Sequence, residues 1–314
     1  SGDNPATVSR IAVKAGLEGG DQYIDAGELP EDFEDLKRVV KQYNVFGRVT
    51  PEQKQKIIKA YQANRFVVGM VGDGVNDVLA LKDADCGVAM AAGADAAKQA
   101  AHIVLLDSDF SRMKDIVKEG RTIISNIERV SSLYLTKTIY SLLLCVIFIL
   151  LKRSYPFIPI HLTLISTLAI GIPSFFLAIE PTETVTSTGF LKHVLKVALP
   201  GALTMVLSML TIQGAGTLLG FDYAIVSVFN LIIAGGISLM VLVKVSLPMN
   251  LMRRILCSVM AALFVLAIII LPELFGVTGL FTWRMIFIFP LMIATYFVME
   301  WLSAGVKYAL RGRI

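Results

Sequence analysis

The chain has 314 residues, 55% of them hydrophobic, and a formal net charge of +4 at neutral pH. Its mean hydropathy of +0.68 is far above that of a soluble globular protein. So modest a charge gives no reason to expect a nucleic-acid partner, and three scattered cysteines and three isolated histidines make no metal-like spacing.

Charge is distributed unevenly. Acidic residues crowd the part before about residue 130, and long apolar runs fill the rest. The first part reads as alternating strands and helices. Asn4 caps a predicted helix over 5–17, with Pro5 at its favoured first position. A short strand is expected at 23–25. Residues 32–42 show helical spacing through Phe33, Leu36, Val39 and Val40. A strand at 45–49 leads to Thr50, which caps a helix running from Pro51 to about residue 62. Further strands are expected at 66–71, 86–90 and 103–106, with short helices at 78–82 and 95–100. Strands alternating with helices imply a parallel, doubly wound sheet, here a partial one.

The strand at 66–71 runs into Val71-Gly72-Asp73-Gly74-Val75-Asn76-Asp77. Open α/β sheets place ligands at the carboxyl ends of their strands. Asp73 and Asp77 are hard oxygen ligands of the kind Mg²⁺ takes alongside substrate phosphate and water. Gly72 and Gly74 allow close backbone approach. Asn76 offers a donor to a phosphoryl oxygen without adding negative charge. A plain strand-to-helix turn needs one capping residue, not the whole set. Lys54, near a helix start, is a point charge for phosphate or one of a solvated group with Lys56 and Lys59. Asp3 by itself reads as a carboxylate near a helix cap, and His102 as a histidine of the fold.

Gly72-Asp73-Gly74-Val75-Asn76-Asp77 resembles the hinge signature of P-type ATPases, members of the haloacid-dehalogenase superfamily. Ser1-Gly2-Asp3-Asn4 resembles the family's TGD motif, with Ser for Thr. Arg48-Val49-Thr50-Pro51-Glu52-Gln53-Lys54 resembles its phosphate-binding lysine segment, and Glu119-Gly120-Arg121 the start of its stalk helix. The resemblance implies catalytic roles for Asp3, Lys54, Asp73, Asn76 and Asp77. It implies nucleotide or phosphate contacts for Gly2, Arg48, Gly72 and Gly74. Mg²⁺ would sit on Asp73 with Asp77 in support, and ATP would be the phosphoryl donor. The family's nucleophile is the aspartate of a DKTGT motif, which does not occur in the chain. Ser1 falls inside the TGD-like motif. The nucleophile strand, the nucleotide-binding and actuator domains and four earlier spans are therefore expected upstream. These 314 residues alone are expected to be inactive.

Six apolar runs follow, at about 133–151, 157–179, 194–219, 223–243, 255–271 and 283–304. Each approaches the roughly twenty residues a membrane span needs. The expected organisation is a phosphorylation domain over 1–110, a stalk helix over 111–132 and an all-α domain of six spans over 133–314. The first span continues the stalk helix, so one helix is expected to join the phosphoryl site to the bilayer, as a lever. Lys192, Lys196, Lys244, Arg253, Arg254, Lys307, Arg311 and Arg313 fall on one side, which should be cytoplasmic. Lys152, Arg153 and Arg284 fall on the other.

Lys137 lies about one turn inside the first span, where an ionisable group is either functional or snorkels to the interface. Gly171 and Pro173 should break the second span and free carbonyls to line a site. The candidate transport path is Lys137, Thr138, Ser141, Ser166, Gly171 and Pro173. Calcium and sodium–potassium pumps carry Asn and Asp at positions matching Ser166 and Ile170, and Asn and Glu at positions matching Thr138 and Ser141. Their acidic ligands are absent here.

The resemblance implies an ATP-driven, multi-pass pump of a bacterial-type plasma membrane, with a cation as substrate, similar to the cation-transporting ATPase E group. The missing carboxylates and Lys137 favour a lipid flippase or polyamine-type transporter as the alternative. A phosphatase-like domain on a non-transporting anchor is a third reading, but an anchor needs no polar, proline-broken span.

Overall fold

The computed structural model describes residues 3–181, 189–277 and 283–310, with the side chains of 283 and 284 excepted. It divides into two compact units, Ser1–Ile116 and Val117–Ile314.

In the first unit, helix α1 (Pro5–Lys14) starts where the Asn4 side chain accepts from the Ala6 amide. Strand β1 (Tyr23–Asp25) pairs in parallel with β2 (Val45–Gly47), and α2 (Phe33–Val39) crosses between them. Helix α3 (Pro51–Ala63) begins in a capping box, Thr50 and Gln53 satisfying each other's amides. Strand β3 (Gly69–Gly72) leads through a 3₁₀ turn (Val75–Asp77) into α4 (Val78–Asp83). Strand β4 (Cys86–Met90), α5 (Asp95–Ala100) and β5 (Ile103–Leu105) complete the unit.

All strand pairs are parallel, but they form two sheets, β1–β2 and β3–β4–β5. Among the described residues no strand lies on the other edge of β2 or of β3. Two expected strands are shorter than their apolar runs. Arg48, at φ +53°, turns the chain out of β2. Phe66 and Val67 are exposed, and the Val68 amide bonds the Asp85 carboxylate (2.8 Å) instead of a neighbouring strand. Leu36, Val40 and Ala60 form one small core, and Ile58, Ala80 and Ala84 another.

The second unit contains six helical runs long and apolar enough to cross a membrane. Helix α6 (Met113–Leu150) has 38 residues, about 57 Å, roughly twice the hydrocarbon thickness of a bilayer. Helices α7 (Pro159–Ser166) and α8 (Ile172–Ile179) are joined by a π-helical turn (Thr167–Gly171). Then come α9 (Phe190–Leu218), α10 (Tyr223–Val245), α11 (Leu251–Ile270) and α12 (Ile288–Ala309). Helix α10 is the most enclosed, and α12 buries little. The π turn has a local cause. Proline at 173 has no amide proton and its ring crowds the preceding turn, so the Ile172 amide reaches back to the Thr167 carbonyl.

Near the end of α8, the buried Glu180 accepts from Arg253 Nε (2.8 Å) and from the Asn250 side chain, with Arg129 3.7 Å away. Asn126 of α6 donates to the Glu180 carbonyl (2.7 Å). Buried charges of both signs, with Glu180 and Arg253 hydrogen-bonded to each other and Arg129 alongside, tie α6, α8 and α11 together.

Candidate functional site

A cleft of about 500 Å³ opens beside β3, in the first unit. Lys54, Gly72, Asp73 and Asp77 line one end of it, and Val45, Phe46, Val49 and Met70 contribute apolar wall. The strand-end turn puts the two aspartates there, and the first turn of α3 brings the lysine. Lys54 Nζ lies 2.6 Å from Asp77 Oδ1, and the Gly74 amide donates to Asp77 Oδ2 at 3.2 Å. The Asp73 amide adds a third hydrogen bond. Asp77 therefore has both oxygens engaged and is buried, whereas Asp73 is exposed. Gly72 must be glycine here, because a Cβ would lie 2.6 Å from that of Asp77.

Burial pushes the Asp77 carboxyl up. The Lys54 ammonium and the Gly74 and Asp73 amides outweigh burial and hold it below the usual carboxylate value. A depressed carboxylate contributes stability above its unfolded-state pKa, near 4, and loses it as pH falls through the folded value. The Lys54–Asp77 pair should therefore be intact across the neutral range and break only below about pH 4. A carbon-13 titration of labelled aspartates, with Asp77→Asn to assign the resonance, checks this. A midpoint for Asp77 above 4 would contradict the pairing.

The other expected site residues lie apart from this cleft wall. Arg48 bonds Asp25 (3.2 Å) through its guanidinium and the Asp3 carbonyl (3.0 Å) through its amide. Asp3 and Asn76 are exposed and, like Arg48, do not line the cleft. Gly2 lies outside the described residues. Two residues in contact with the site were not singled out in the sequence. The Ala94 amide donates to the Asp73 carbonyl (2.7 Å), and a Cβ on Gly93 would lie 2.5 Å from that oxygen. Their only trace in the sequence is the run of small residues Ala91-Ala92-Gly93-Ala94 after β4.

In the second unit, α6 buries the stripe Leu133, Thr136, Tyr140, Leu144 and Phe148. Lys137 is half-buried beside that stripe. Ser141 lies close to the Tyr140 and Tyr155 hydroxyls. Thr138 is exposed, and its hydroxyl donates to the Tyr134 carbonyl of its own helix (3.0 Å). Ser166, just before the π turn, is half-buried, and its buried hydroxyl oxygen has no hydrogen-bond partner among the described residues; the hydroxyl of the buried Ser174, in the first turn of α8 after it, has none either. Gly171 closes the π turn, with Pro173 buried behind it. No hydrogen bond among the described residues joins Lys137 or Ser141 to Ser166. His161, isolated in the sequence, is wholly buried, with Nε2 2.8 Å from the Phe275 carbonyl.

Residues 1–85 match the family profile of haloacid dehalogenase-like hydrolases. The calcium-transporting ATPase CtpE of Mycolicibacterium smegmatis is 41% identical over 292 residues, 88% of this chain and 36% of that protein. The probable cation-transporting ATPase exp7 of Streptococcus pneumoniae is 39% identical over 264 residues, 82% of this chain and 34% of that protein. The chain belongs to the P-type ATPases. It spans about a third of the length of these two relatives. A calcium-transporting ATPase of Bacillus subtilis is 37% identical over 186 residues, 58% of this chain and 21% of that protein.

Mg²⁺ is the metal implied for a P-type ATPase, and the donor set fits it. Asp73 presents a carboxylate that no side chain among the described residues engages. Those residues contain no cluster of three or more His, Cys, Asp or Glu that could hold a metal by itself. One or two carboxylates completed by phosphoryl oxygens and water is how Mg²⁺ is commonly bound. Asp73 would be the ligand, since both oxygens of Asp77 are already hydrogen-bonded.

Proposed function

We propose that this chain is part of an ATP-driven cation pump that works through an aspartyl phosphate. The observation that carries the reading is the division of labour between the two aspartates. Asp77 is fixed by Lys54 and two amides, and Asp73 is left open toward the same cleft. That combination can hold a phosphoryl group between an ammonium and a metal-bearing carboxylate. Phosphoryl transfer needs mostly positioning and charge neutralisation. Mg²⁺ would neutralise phosphoryl oxygens at Asp73. Lys54 would bind a phosphoryl oxygen, with Asp77 holding the lysine in place. Gly72 would let β3 approach Asp77, and Gly74 would supply an amide. The attacking aspartate would be on a part of the protein outside these 314 residues.

We assign residues 1–110 to the phosphorylation domain, 111–132 to a stalk and 133–314 to the membrane domain. The basic ends of α9, α10, α11 and α12 favour a cytoplasmic location for the first unit and a plasma-membrane setting. The distorted second span supports transport over simple anchoring. It places the buried, unpartnered Ser166 and Ser174 hydroxyls on either side of a π turn. Polar groups in a membrane interior are functional candidates by default. The path we propose runs by these hydroxyls and Gly171 and Pro173, with Lys137 and Ser141 approaching from α6 and Thr138 at its lipid-facing edge. Calcium is the first cation to test, because it is named for two of the relatives above.

Purified full-length protein in proteoliposomes should show ATP hydrolysis stimulated by one divalent cation, with uptake of that cation. Ca²⁺, Mn²⁺ and Mg²⁺ with and without a polyamine make the decisive panel. Stimulation by phospholipid composition alone, with no cation dependence, would replace this reading with a flippase.

A further inference from the structure

We propose that the membrane domain carries a binding groove for an anionic glycerophospholipid, in the leaflet on its lysine-rich side. A groove of about 550 Å³, within the range of small-ligand pockets, lies among α9, α10, α11 and α12. Its two ends differ in chemistry. On α10 the groove-lining positions run Gly236, Met240, Lys244, and on α12 they run Tyr296, Glu300, Ser303, Lys307. These spacings of three and four put each set on one helix face. From Gly236 to Lys244 the wall rises by about 12 Å and turns from apolar to charged. Lys196 of α9 lines the groove too. An amphiphile has this same gradient.

The charges favour an anion at the polar end. Lys244 is neutralised by Glu300 (2.9 Å) and also donates to Ser303 Oγ (2.8 Å). No carboxylate among the described residues pairs with Lys196 or Lys307, so two cations remain to face a headgroup. Val243, Leu247 and Tyr296 are all exposed lining residues, so the groove opens sideways onto the surface that acyl chains cover. A phosphodiester would sit between Lys196 and Lys307, and its chains would descend past Met240 and Ala261.

The test is native mass spectrometry of the full-length protein in detergent, titrated with dihexanoyl phosphatidylglycerol, dihexanoyl phosphatidylcholine or inorganic phosphate. One phosphatidylglycerol should bind in preference to phosphatidylcholine. A juxtamembrane lysine is worth about fivefold in affinity for an anionic headgroup, so Lys196→Gln with Lys307→Gln should weaken binding roughly 25-fold. Ala261→Phe keeps every charge but fills the apolar end, and should weaken it as well. Equal binding of both lipids, or phosphatidylglycerol binding unchanged in either variant, would overturn the proposal. Equal binding of inorganic phosphate would mean a free-anion site and would also overturn it. So would a dimer that loses its association in Ala261→Phe, because the occupant would then be a second copy.

Discussion

Asp73→Asn in the full-length protein should lower phosphoenzyme formation from ATP by roughly a thousandfold, equivalent to about 4 kcal/mol at a tenfold change per 1.36 kcal/mol. The carboxylate is exposed at the end of β3, is engaged by no side chain among the described residues, and is the open anionic group beside Lys54. Neutralising it removes the charge that would hold Mg²⁺, whose neutralisation of the phosphoryl oxygens is worth several kcal/mol. The measurement is acid-quenched incorporation of labelled phosphate at saturating ATP across a range of Mg²⁺. Wild-type levels at limiting Mg²⁺ would sink the assignment. Gly93→Ala is the companion variant. Its new Cβ would lie 2.5 Å from the Asp73 carbonyl oxygen, backbone that cannot easily give way. It should reduce phosphorylation while leaving every carboxylate in place. An unaffected Gly93→Ala would show that the turn need not be held where it is.

Lys54→Met should damage stability and chemistry together, and a second substitution should separate them. Removing the ammonium leaves Asp77 buried with only the amides of Gly74 and Asp73. Losing a hydrogen bond to a charged group costs about 1.5–3 kcal/mol. Amides of α3 and of the turn over Val75–Asp77 should then exchange hydrogen about ten- to a hundredfold faster. Lys54→Met combined with Asp77→Leu replaces the pair with apolar groups, which restores stability in many buried pairs. The double variant should recover exchange protection and stay unable to form phosphoenzyme. If the double variant regains both, Lys54 is only a strut. If Lys54→Met changes neither, the 2.6 Å pair contributes nothing in solution.

What was legible in the sequence was local. The glycine–aspartate turn, the caps at Asn4 and Thr50 and the six apolar runs are all patterns within one or two dozen residues, set by helix and strand periods. Pro173 marked the disturbance in the second span for the same reason, since a missing amide acts within one turn. Element ends were read less well. Strand β3 starts at Gly69 and not at Phe66, because Asp85, nineteen positions beyond Phe66, claims the Val68 amide.

Tertiary structure alone decided how the two aspartates divide their work. The residue types are alike and four positions apart, but Lys54 arrives from 23 residues upstream of Asp77, and Gly93 closes on Asp73 from the far side of β4. It also decided which intramembrane charges are paired. Glu180 meets Arg253 across 73 positions, and Lys244 meets Ser303 and Glu300 on another helix. Composition shows that such groups exist. Whether a charge is neutralised or left to face a ligand depends on distances of three or four ångströms between segments far apart in the chain, and only packing sets those.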